Sequence, residues 1–361
     1  MKNHLFSNYT LGPINLDNRI VVSPMCQYMA SNGVANDWHL MHYGNMSIGA
    51  GSLIIFEATH VSNIGRITNK CLGLYSDECE EALKRVVDFC KNHGSAKLGI
   101  QLAHSGRKGS THPPMNGGTT LTKSESAWET IAPSALPFSN DWHIPRMMEK
   151  KDMEQVKHQF VQALIRAVRI GFEVIELHAA HGYLLHQFLS PLSNRREDEY
   201  GGSLENRMRF PLEVFKALKE SIPDGVALGV RVSGSDWVEG GINDEELVEF
   251  VIELNKIGCD FVDVTSGQLD PNQQIKFKPG FNLPFSKKIM DSTNISTIAV
   301  GLITNPIQAN EIITSGRANL VAIARAAMDN PRWAWHAARE LNVKIEYSPN
   351  YQRCHPDIWK S

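Results

Sequence analysis

Short apolar runs rich in β-branched residues recur along the chain, and longer stretches with the apolar spacing of a helix lie between them. We interpret eight of these runs as strands. They are Ile20–Pro24, Leu53–Glu57, Leu98–Leu102, Val174–Leu177, Ala227–Val232, Phe261–Val264, Thr297–Val300 and Leu320–Ile323. Their alternation with helical segments is typical of repeated βαβ units.

The segments between the runs carry helical patterns and the signals that begin and end helices. Asp77–Asn92 and Asp244–Ile257 place apolar residues on one helical face. We expect Asp77 and Asp152 to cap helix N-termini, because aspartate accepts hydrogen bonds from the amides of a first turn. Glycines that can end helices follow the last predicted turns at Gly94, Gly171, Gly258 and Gly316.

Eight strand–helix alternations in one chain of 361 residues predict an α/β fold, and a closed parallel (β/α)8 TIM barrel fits them better than an open sheet. Periodicity alone does not exclude a doubly wound sheet. We expect a single domain over residues 1–361. An N-terminal hairpin, Leu5 to Asn18, is expected to close the bottom of the barrel. A long insertion after the third strand, Ser105 to Met148, is expected to be a lid or binding loop.

The charge balance argues against a nucleic-acid partner, because 36 basic and 39 acidic residues are interspersed and give a formal net charge of −3. A small-molecule partner is the better expectation. Met1 to Thr10 lacks the apolar core of a signal peptide, and no stretch of the sequence is apolar enough to span a membrane. The cysteines form no C-x-x-C pair, which argues against a metal or iron–sulfur site, and we expect a reduced, cytoplasmic protein.

The C-terminal ends of the predicted strands carry most of the candidate chemistry, and active sites form at this end of a barrel. The sequences at these ends are Ser23–Tyr28, Glu57–Thr59, Gln101–Lys108, His178–Tyr183, Arg231–Ser233, Ser266–Gly267, Val300–Leu302 and Ala324–Arg325. Arg231 would be a buried charge in the barrel mouth, which requires an anionic partner: a ligand, or an acid such as Asp263.

His178, His181 and Tyr183 lie within six positions and can act on one substrate oxygen and a neighbouring carbon. Two neutral imidazole N–H groups would stabilise negative charge that develops on a carbonyl oxygen, and the phenol would act as a general acid. Taken alone, the two histidines also fit a metal pair or ordinary polar loop residues.

The segment from His178 to Arg207 resembles the Old Yellow Enzyme family of FMN-dependent ene-reductases. The resemblance extends over nearly the whole chain, through Asn18-Arg19-Ile20, Ser23–Cys26, Gln101–His104 and Tyr351–Arg353. Cys26 with Tyr28, and the Tyr-Gln-Arg end, are similar to the bacterial thermophilic-like subclass. The resemblance implies noncovalent FMN, NADPH or NADH as hydride donor, and reduction of the C=C bond of α,β-unsaturated carbonyl or nitro compounds.

The resemblance also implies roles for individual residues. His178, His181 and Tyr183 would be catalytic. The residues expected to contact FMN are Ser23, Pro24, Met25, Cys26, Ala58, Gln101, Arg231, Gly301, Ala324 and Arg325. Those expected to bind substrate are Tyr28, His178, His181 and Arg353. Where the chain has Ala324 the family usually has glycine, which leaves the approach of the backbone to phosphate less certain there.

Elementary chemistry agrees with several of these roles. The Gln101 amide has a donor and an acceptor, which suits the alternating pyrimidine edge of a flavin. Arg231 would pair with the anionic reduced flavin. Gly301 and Arg325 follow the seventh and eighth strands, where barrels hold phosphate. No Gly-x-Gly-x-x-Gly follows a strand, so nicotinamide and substrate are expected to share one open flavin face.

Other interpretations remain open at this point. One is a flavoenzyme like 2,4-dienoyl-CoA reductase, although the cysteine-rich cluster motif of those chains is missing. Another is a metal-dependent barrel hydrolase that uses His178 and His181 with a carboxylate. A catalytically inactive barrel that only binds is the third. For His60, Lys108 and Trp38 we expect a plain surface role.

The C-terminal tail, residues 343–361, follows the last predicted barrel helix, Pro331 to Asn342, and contains residue types that favour interfaces. An exposed, flexible tail is the alternative. In the thermophilic-like subclass, an arginine that matches Arg353 reaches the active site of the neighbouring subunit. The resemblance therefore implies a homodimer or homotetramer with Arg353 in the partner's substrate pocket.

Overall fold

The eight apolar runs form a closed parallel barrel in the computed structural model, which describes residues 4–49 and 51–359. The strands are β1 Tyr9–Leu11, β2 Ile14–Leu16, β3 Ile20–Val22, β4 Leu53–His60, β5 Lys97–Ala103, β6 Ile131–Ala132, β7 Arg146–Met147, β8 Val174–Ala179, β9 Ala227–Ser233, β10 Phe261–Thr265, β11 Ser296–Ala299 and β12 Leu320–Ile323. Around the barrel the order is β3-β4-β5-β8-β9-β10-β11-β12, and β12 pairs with β3. The predicted barrel is confirmed, and the doubly wound alternative is wrong.

Ten helices occur in the described part of the chain, and most of them lie between consecutive barrel strands. They are α1 Asp37–Ser47, α2 Asp77–His93, α3 Lys150–Ile170, α4 Leu184–Leu189, α5 Leu204–Ser221, α6 Asp244–Lys256, α7 Leu283–Ser292, α8 Pro306–Thr314, α9 Arg325–Asp329 and α10 Trp333–Glu340. The expected domain, residues 1–361, and the expected tail, residues 343–361, both include residues 360 and 361. These two residues, like residues 1–3, lie outside the described part of the chain.

The predicted helix starts were wrong in detail. Ser76, rather than Asp77, is the N-cap of α2, and its side chain accepts a hydrogen bond from the Cys79 amide. Helix α3 begins at Lys150, so Asp152 lies inside the first turn, where its carboxylate binds Arg146. Neither aspartate is the N-cap residue, and each stabilises the positive end of the helix dipole from within the first turn. Asp152 also accepts from the amide of the N-cap residue Glu149 at 2.8 Å, in a capping box.

Strands β3 and β4 and the last helix end at residues other than those predicted. Strand β3 stops at Val22 because Pro24, two residues later, cannot donate to a sheet ladder. Strand β4 continues three residues past Glu57, through an irregularity in its register between Phe56 and Thr59. The final predicted helix, Pro331 to Asn342, is the shorter α10.

The N-terminal hairpin closes the bottom of the barrel, as predicted. Strands β1 and β2 pair antiparallel, and apolar side chains of both enter a small core formed by residues at the N-terminal ends of the barrel strands. Leu16 of β2 is 1% exposed in this core, together with Phe261 and Leu320. With this end filled, ligands must enter at the opposite, C-terminal mouth.

The insertion Ser105 to Met148 folds back over that mouth. Arg107 donates to the carbonyl of Pro137 at 3.1 Å and to that of Leu269, beyond β10, at 3.0 Å. Lys108 Nζ lies 4.7 Å from the centre of the Phe138 ring. These contacts join the insertion to the loop after β10, in the position of a lid. Among the described residues, no helix is long and apolar enough to cross a membrane.

We expect Leu16→Ala to lower the free energy of unfolding by about 2–5 kcal/mol, because it leaves a cavity in the core below the barrel. Denaturant titration followed by circular dichroism measures this change. Thr10→Ala, at an exposed position of the same hairpin, is the matched control and should stay close to wild type. Equal stability of the two variants would contradict the packing.

Candidate active site

The barrel mouth brings together the two histidines and the tyrosine that follow β8. After His178 the chain turns through His181 and Gly182, which have positive φ angles of 56° and 71°. The ring centre of His178 lies 5.3 Å from that of His181 and 5.0 Å from that of Tyr183. The three side chains are therefore close enough to contact one small molecule.

Both imidazoles are neutral. Burial, and then the positive charge of Arg231, lowers the pKa of His178 and His181 well below the ordinary value. The Ala180 amide donates to Nδ1 of His178 at 3.3 Å, so the ring proton of His178 is on Nε2. Nε2 of His181 lies 2.9 Å from Oγ1 of Thr265. Each ring can offer a neutral N–H group.

Tyr183 keeps its proton. Burial raises the pKa of its phenol, and negative charge on Cys26 would raise it further. Burial likewise raises the pKa of Cys26 and of Tyr28, which has a positive φ of 54°. A protonated phenol beside two neutral imidazoles can act as a general acid.

Arg231 is a buried cation beside this group. It pairs in register with His178 of β8 on one side and with Asp263 of β10 on the other. Its Nε lies 3.4 Å from Oδ2 of Asp263, a distance of an ion pair rather than of a good hydrogen bond. Asp263, one of the two kinds of partner that the sequence allowed for Arg231, therefore does pair with it.

A second acid, Glu176, completes this charged cluster. It accepts a hydrogen bond from Nε2 of Gln101 at 2.7 Å. Burial raises the pKa of both Glu176 and Asp263, and the charge of Asp263 raises that of Glu176 further. Burial therefore disfavours the charge of both acids, while the ion pair with Asp263 offsets the charge of Arg231.

These groups fit the polar edge of a flavin. Nε of Arg231, Oε2 of Glu176 and both carboxylate oxygens of Asp263 are buried without a hydrogen-bond partner among the described residues. Buried polar atoms of this kind normally have partners. A planar ligand with alternating donors and acceptors, able to become anionic, would supply an acceptor for the guanidinium.

A cleft of about 450 Å³ opens at the ends of β11 and β12 and is lined by Gly301, Ala324 and Arg325 among others. Gly301 has a φ of 133°, and a Cβ there would lie 3.0 Å from Nδ2 of Asn282. Arg325 is exposed and begins α9, whose first amides have no partner within the helix. This chemistry fits a phosphate group.

The remaining residues expected to contact the flavin lie at the same end of the barrel. Ser23, Pro24, Met25 and Cys26 follow β3, with Ser23 buried and the others half-buried. Ala58 is buried within the irregular part of β4. The structure therefore brings all the expected flavin residues to one mouth.

The surface role expected for His60 was wrong. Because β4 runs to His60, this side chain is 0% exposed, and its Nδ1 lies 3.0 Å from the Leu72 carbonyl oxygen. Lys108 also belongs to the mouth, since its Nζ donates to the carbonyls of His181 at 2.9 Å and Gln268 at 2.8 Å. Burial lowers the pKa of Lys108 to about 7. Trp38 is half-exposed, as expected, and donates to Gln27 at 3.1 Å.

Sequence reasoning missed several residues of this site. Glu176 was readable as an acid inside an apolar strand, the same signal that made Asp263 a possible partner of Arg231 in the sequence. Thr265 and Ser233 contact His181 from two other strands, and no local pattern indicates such contacts.

Arg353 belongs to the C-terminal tail, in the segment Pro349–Cys354. The tail packs on α10, where Tyr347 stacks on Trp335 at 4.2 Å and the Cys354 carbonyl accepts from Arg339 at 2.7 Å. The described tail is thus folded against the barrel instead of extending freely. Arg353 itself is exposed on this segment.

Proteins with similar sequences belong to one family of flavin oxidoreductases. Residues 4–344 match the NADH:flavin oxidoreductase / NADH oxidase family. The chain is 44% identical to the NADPH dehydrogenase of Geobacillus sp. strain WCH70, over 98% of this chain and 99% of that protein. It is 43% identical to the NADPH dehydrogenase of Listeria innocua, over 99% of both.

Solved structures agree in fold. Morphinone reductase superposes with a TM-score of 0.79 and 26% identity, over 97% of this chain and 93% of that chain. 2-Naphthoyl-CoA reductase superposes with a TM-score of 0.84 at 22% identity, and this chain spans only 52% of its length. The second likeness concerns the barrel alone.

We expect Arg231→Ala to weaken FMN binding roughly tenfold or more, because the flavin edge would lose a buried hydrogen-bond donor, and its anionic reduced form would also lose a cation. The midpoint potential of bound FMN should become more negative. Fluorescence titration of the apoprotein and a redox titration measure the two effects. Arg85→Ala removes the same charge from an exposed ion pair and is the control. If the affinity for FMN and its midpoint potential stayed unchanged, Arg231 would only form the ion pair with Asp263 and would not bind the flavin.

Proposed function

Because the chain belongs to the NADH:flavin oxidoreductase / NADH oxidase family, the Old Yellow Enzyme family that its sequence resembles, we propose that it reduces the C=C bond of α,β-unsaturated carbonyl or nitro compounds. FMN is the cofactor of this oxidoreductase and NAD(P)H its electron donor. Bound FMN supplies two-electron transfer between the nicotinamide and the alkene. The closeness of the three side chains carries the proposal: the ring centre of His178 lies 5.3 Å from that of His181 and 5.0 Å from that of Tyr183. Burial keeps the two imidazoles neutral and the phenol protonated.

The histidine pair binds the carbonyl or nitro oxygen of the substrate. A neutral N–H donor gains strength as negative charge develops on that oxygen, so it favours the transition state over the bound substrate. The positive charge of Arg231 helps to keep both rings neutral. Thr265 and Ser233 hold His181 from two neighbouring strands.

Tyr183 donates the proton that the α-carbon of the substrate requires. Its phenol lies against His178, and Lys108 Nζ lies 5.1 Å from the centre of its ring. In its protonated form, Lys108 would stabilise the phenolate left after proton transfer. Solvent protons then restore the phenol.

The flavin is held by residues of the barrel itself. We propose that Gln101 and Arg231 bind its pyrimidine edge, that Gly301, Ala324 and Arg325 bind its phosphate, and that Ser23 to Cys26 and Ala58 lie along the ring. The chain would then act as a single FMN-binding barrel domain, with Tyr28 beside the substrate. Nicotinamide and substrate would use the same open face in turn, with NADPH preferred.

We also propose that the protein forms a homodimer, or a tetramer of such dimers, in which Arg353 enters the substrate pocket of the neighbouring subunit. The packing of the tail on α10 supports this arrangement, because it presents an exposed arginine on an ordered segment. An arginine there would bind the polar end of a substrate.

His178→Ala and His181→Ala should each slow the oxidative half-reaction with cyclohexenone roughly a hundredfold, since loss of one oxyanion donor costs on the order of 3 kcal/mol. Reduction of the enzyme by NADPH should change less, and Tyr183→Phe should affect poorly activated alkenes most. Stopped-flow spectroscopy separates the two half-reactions. His158→Ala, at an exposed position of α3, is the control. Oxidation at the wild-type rate in both histidine variants would refute the assignment.

Truncation after Ser348 should weaken subunit association and change the Michaelis constant for the alkene, while FMN stays bound. Arg353→Ala should change the same constant without dissociating the oligomer, because one side chain contributes little to the interface area. Analytical ultracentrifugation and steady-state kinetics provide the readouts, with the exposed Lys344→Ala as control. A monomeric full-length protein whose truncated form has unchanged kinetics would disprove the shared site.

A further inference from the structure

A buried histidine–aspartate pair lies next to the loop that carries the catalytic groups. His186 of α4 is 1% exposed, and Asp236, in the segment after β9, is 0% exposed. Nε2 of His186 and Oδ1 of Asp236 are 2.9 Å apart, in a bent contact. Burying such a pair is unfavourable unless the remaining polar atoms of both groups have hydrogen-bond partners.

His186 contacts the backbone of residues 180–183, the loop between His178 and α4. Its Nδ1 accepts a hydrogen bond from the Gly182 amide at 2.9 Å. An imidazole nitrogen accepts only when it carries no proton, so the ring proton is on Nε2 and faces Asp236. The Gly182 amide at Nδ1 and the Asp236 carboxylate at Nε2 therefore set the tautomer of His186.

Asp236 has a fixed orientation and charge. Its Oδ2 accepts from the Ser190 hydroxyl at 2.7 Å and from the Ile242 amide at 2.9 Å, which leaves Oδ1 toward His186. Although burial opposes ionisation, His186 and these donors together lower the pKa of Asp236. The carboxylate therefore keeps the ring proton of His186 on Nε2.

Gly182 has a backbone conformation and surroundings that other residues could not adopt without strain. Its φ is 71°, and a Cβ there would collide with the Gln268 carbonyl oxygen. Its carbonyl accepts from Nε2 of Gln187 at 2.7 Å, so both ends of this residue are bound by side chains of α4. The residues immediately before and after it are His181 and Tyr183.

We propose that His186 and Asp236 are positioning residues: they anchor the Gly182 amide and thereby fix His181 and Tyr183 at the substrate. The inference rests on the proposed function, because it takes those two side chains as the groups that act on the alkene. His186 acts through the loop backbone, and Asp236 acts through the tautomer of His186.

Asp236→Asn tests the tautomer without changing the size of the side chain. To keep both the Ile242 amide and the Ser190 hydroxyl as donors, the new amide must turn its oxygen toward them and its NH2 toward His186. Nε2 must then accept, the ring proton moves to Nδ1, and two N–H groups face each other at Gly182. The anchor is lost although the loop sequence is unchanged.

Three measurements on the FMN-loaded protein detect the effects of Asp236→Asn. Long-range ¹H–¹⁵N spectra of histidine-labelled protein should show His186 with its proton on Nε2 in the wild type and on Nδ1 in Asp236→Asn. Hydrogen exchange of peptides that contain Gly182 should become faster. The oxidative half-reaction should slow roughly 10- to 100-fold, the scale expected from a small misplacement of catalytic groups, with the reductive half-reaction less affected.

Asp260→Asn is the matched control, because Asp260 also accepts from a backbone amide, that of Leu228, at the other end of the barrel. It should leave all three readouts unchanged. A wild-type His186 with its proton on Nδ1 would overturn the proposal without any variant. So would a variant whose tautomer changes while exchange and oxidation stay at control values.

The outcomes also separate this inference from the proposed function. If the wild-type enzyme reduces no enone, the proposed function fails, and the tautomer and the exchange of Gly182 still decide whether the pair anchors the loop. If enones are reduced and Asp236→Asn behaves like Asp260→Asn, only the anchoring is wrong.

Discussion

The balance of charge around Arg231 is the constraint on which the barrel mouth depends. A guanidinium buried among β-strands must be compensated, and here Asp263 forms an ion pair with it while Glu176 is a second buried acid in the same cluster. The same cation disfavours protonation of His178 and His181. One residue of β9 thus links the chemistry of the cofactor edge to that of the substrate-binding groups.

Much of the fold could be predicted because its signals are local. An apolar run such as Leu320–Ile323 carries its own strand propensity, and the polar residues at its end face the mouth once the barrel is assumed. Helix caps were less predictable, since Ser76 and Asp77 are both good capping residues and only the backbone decides between them. For His60, three extra residues of β4 changed an expected surface position into a buried one.

The parts of the site that escaped prediction depend on contacts between distant residues. Lys108 binds carbonyls that lie 73 and 160 positions along the chain. Asp236, in the segment after β9, meets His186 of α4, and the local sequence around neither residue indicates this contact. Several non-glycine residues of the mouth, including Tyr28, His181, Gln268 and Leu302, also have positive φ angles. Such conformations persist only where the surrounding structure enforces them, so a local reading of propensity cannot find them.

Closure of the barrel by pairing of β3 with β12 affects how the chain folds. Val21 pairs with Ala322, so the first barrel strand has its second neighbour only after nearly the whole chain has been synthesised. The core under the barrel likewise needs Leu16 from the hairpin and Leu320 from the last strand. Contacts of such long sequence separation slow folding, and until they form, one edge of β3 is open to pairing with other chains. During translation this N-terminal edge is therefore where the nascent barrel depends most on protection from aggregation.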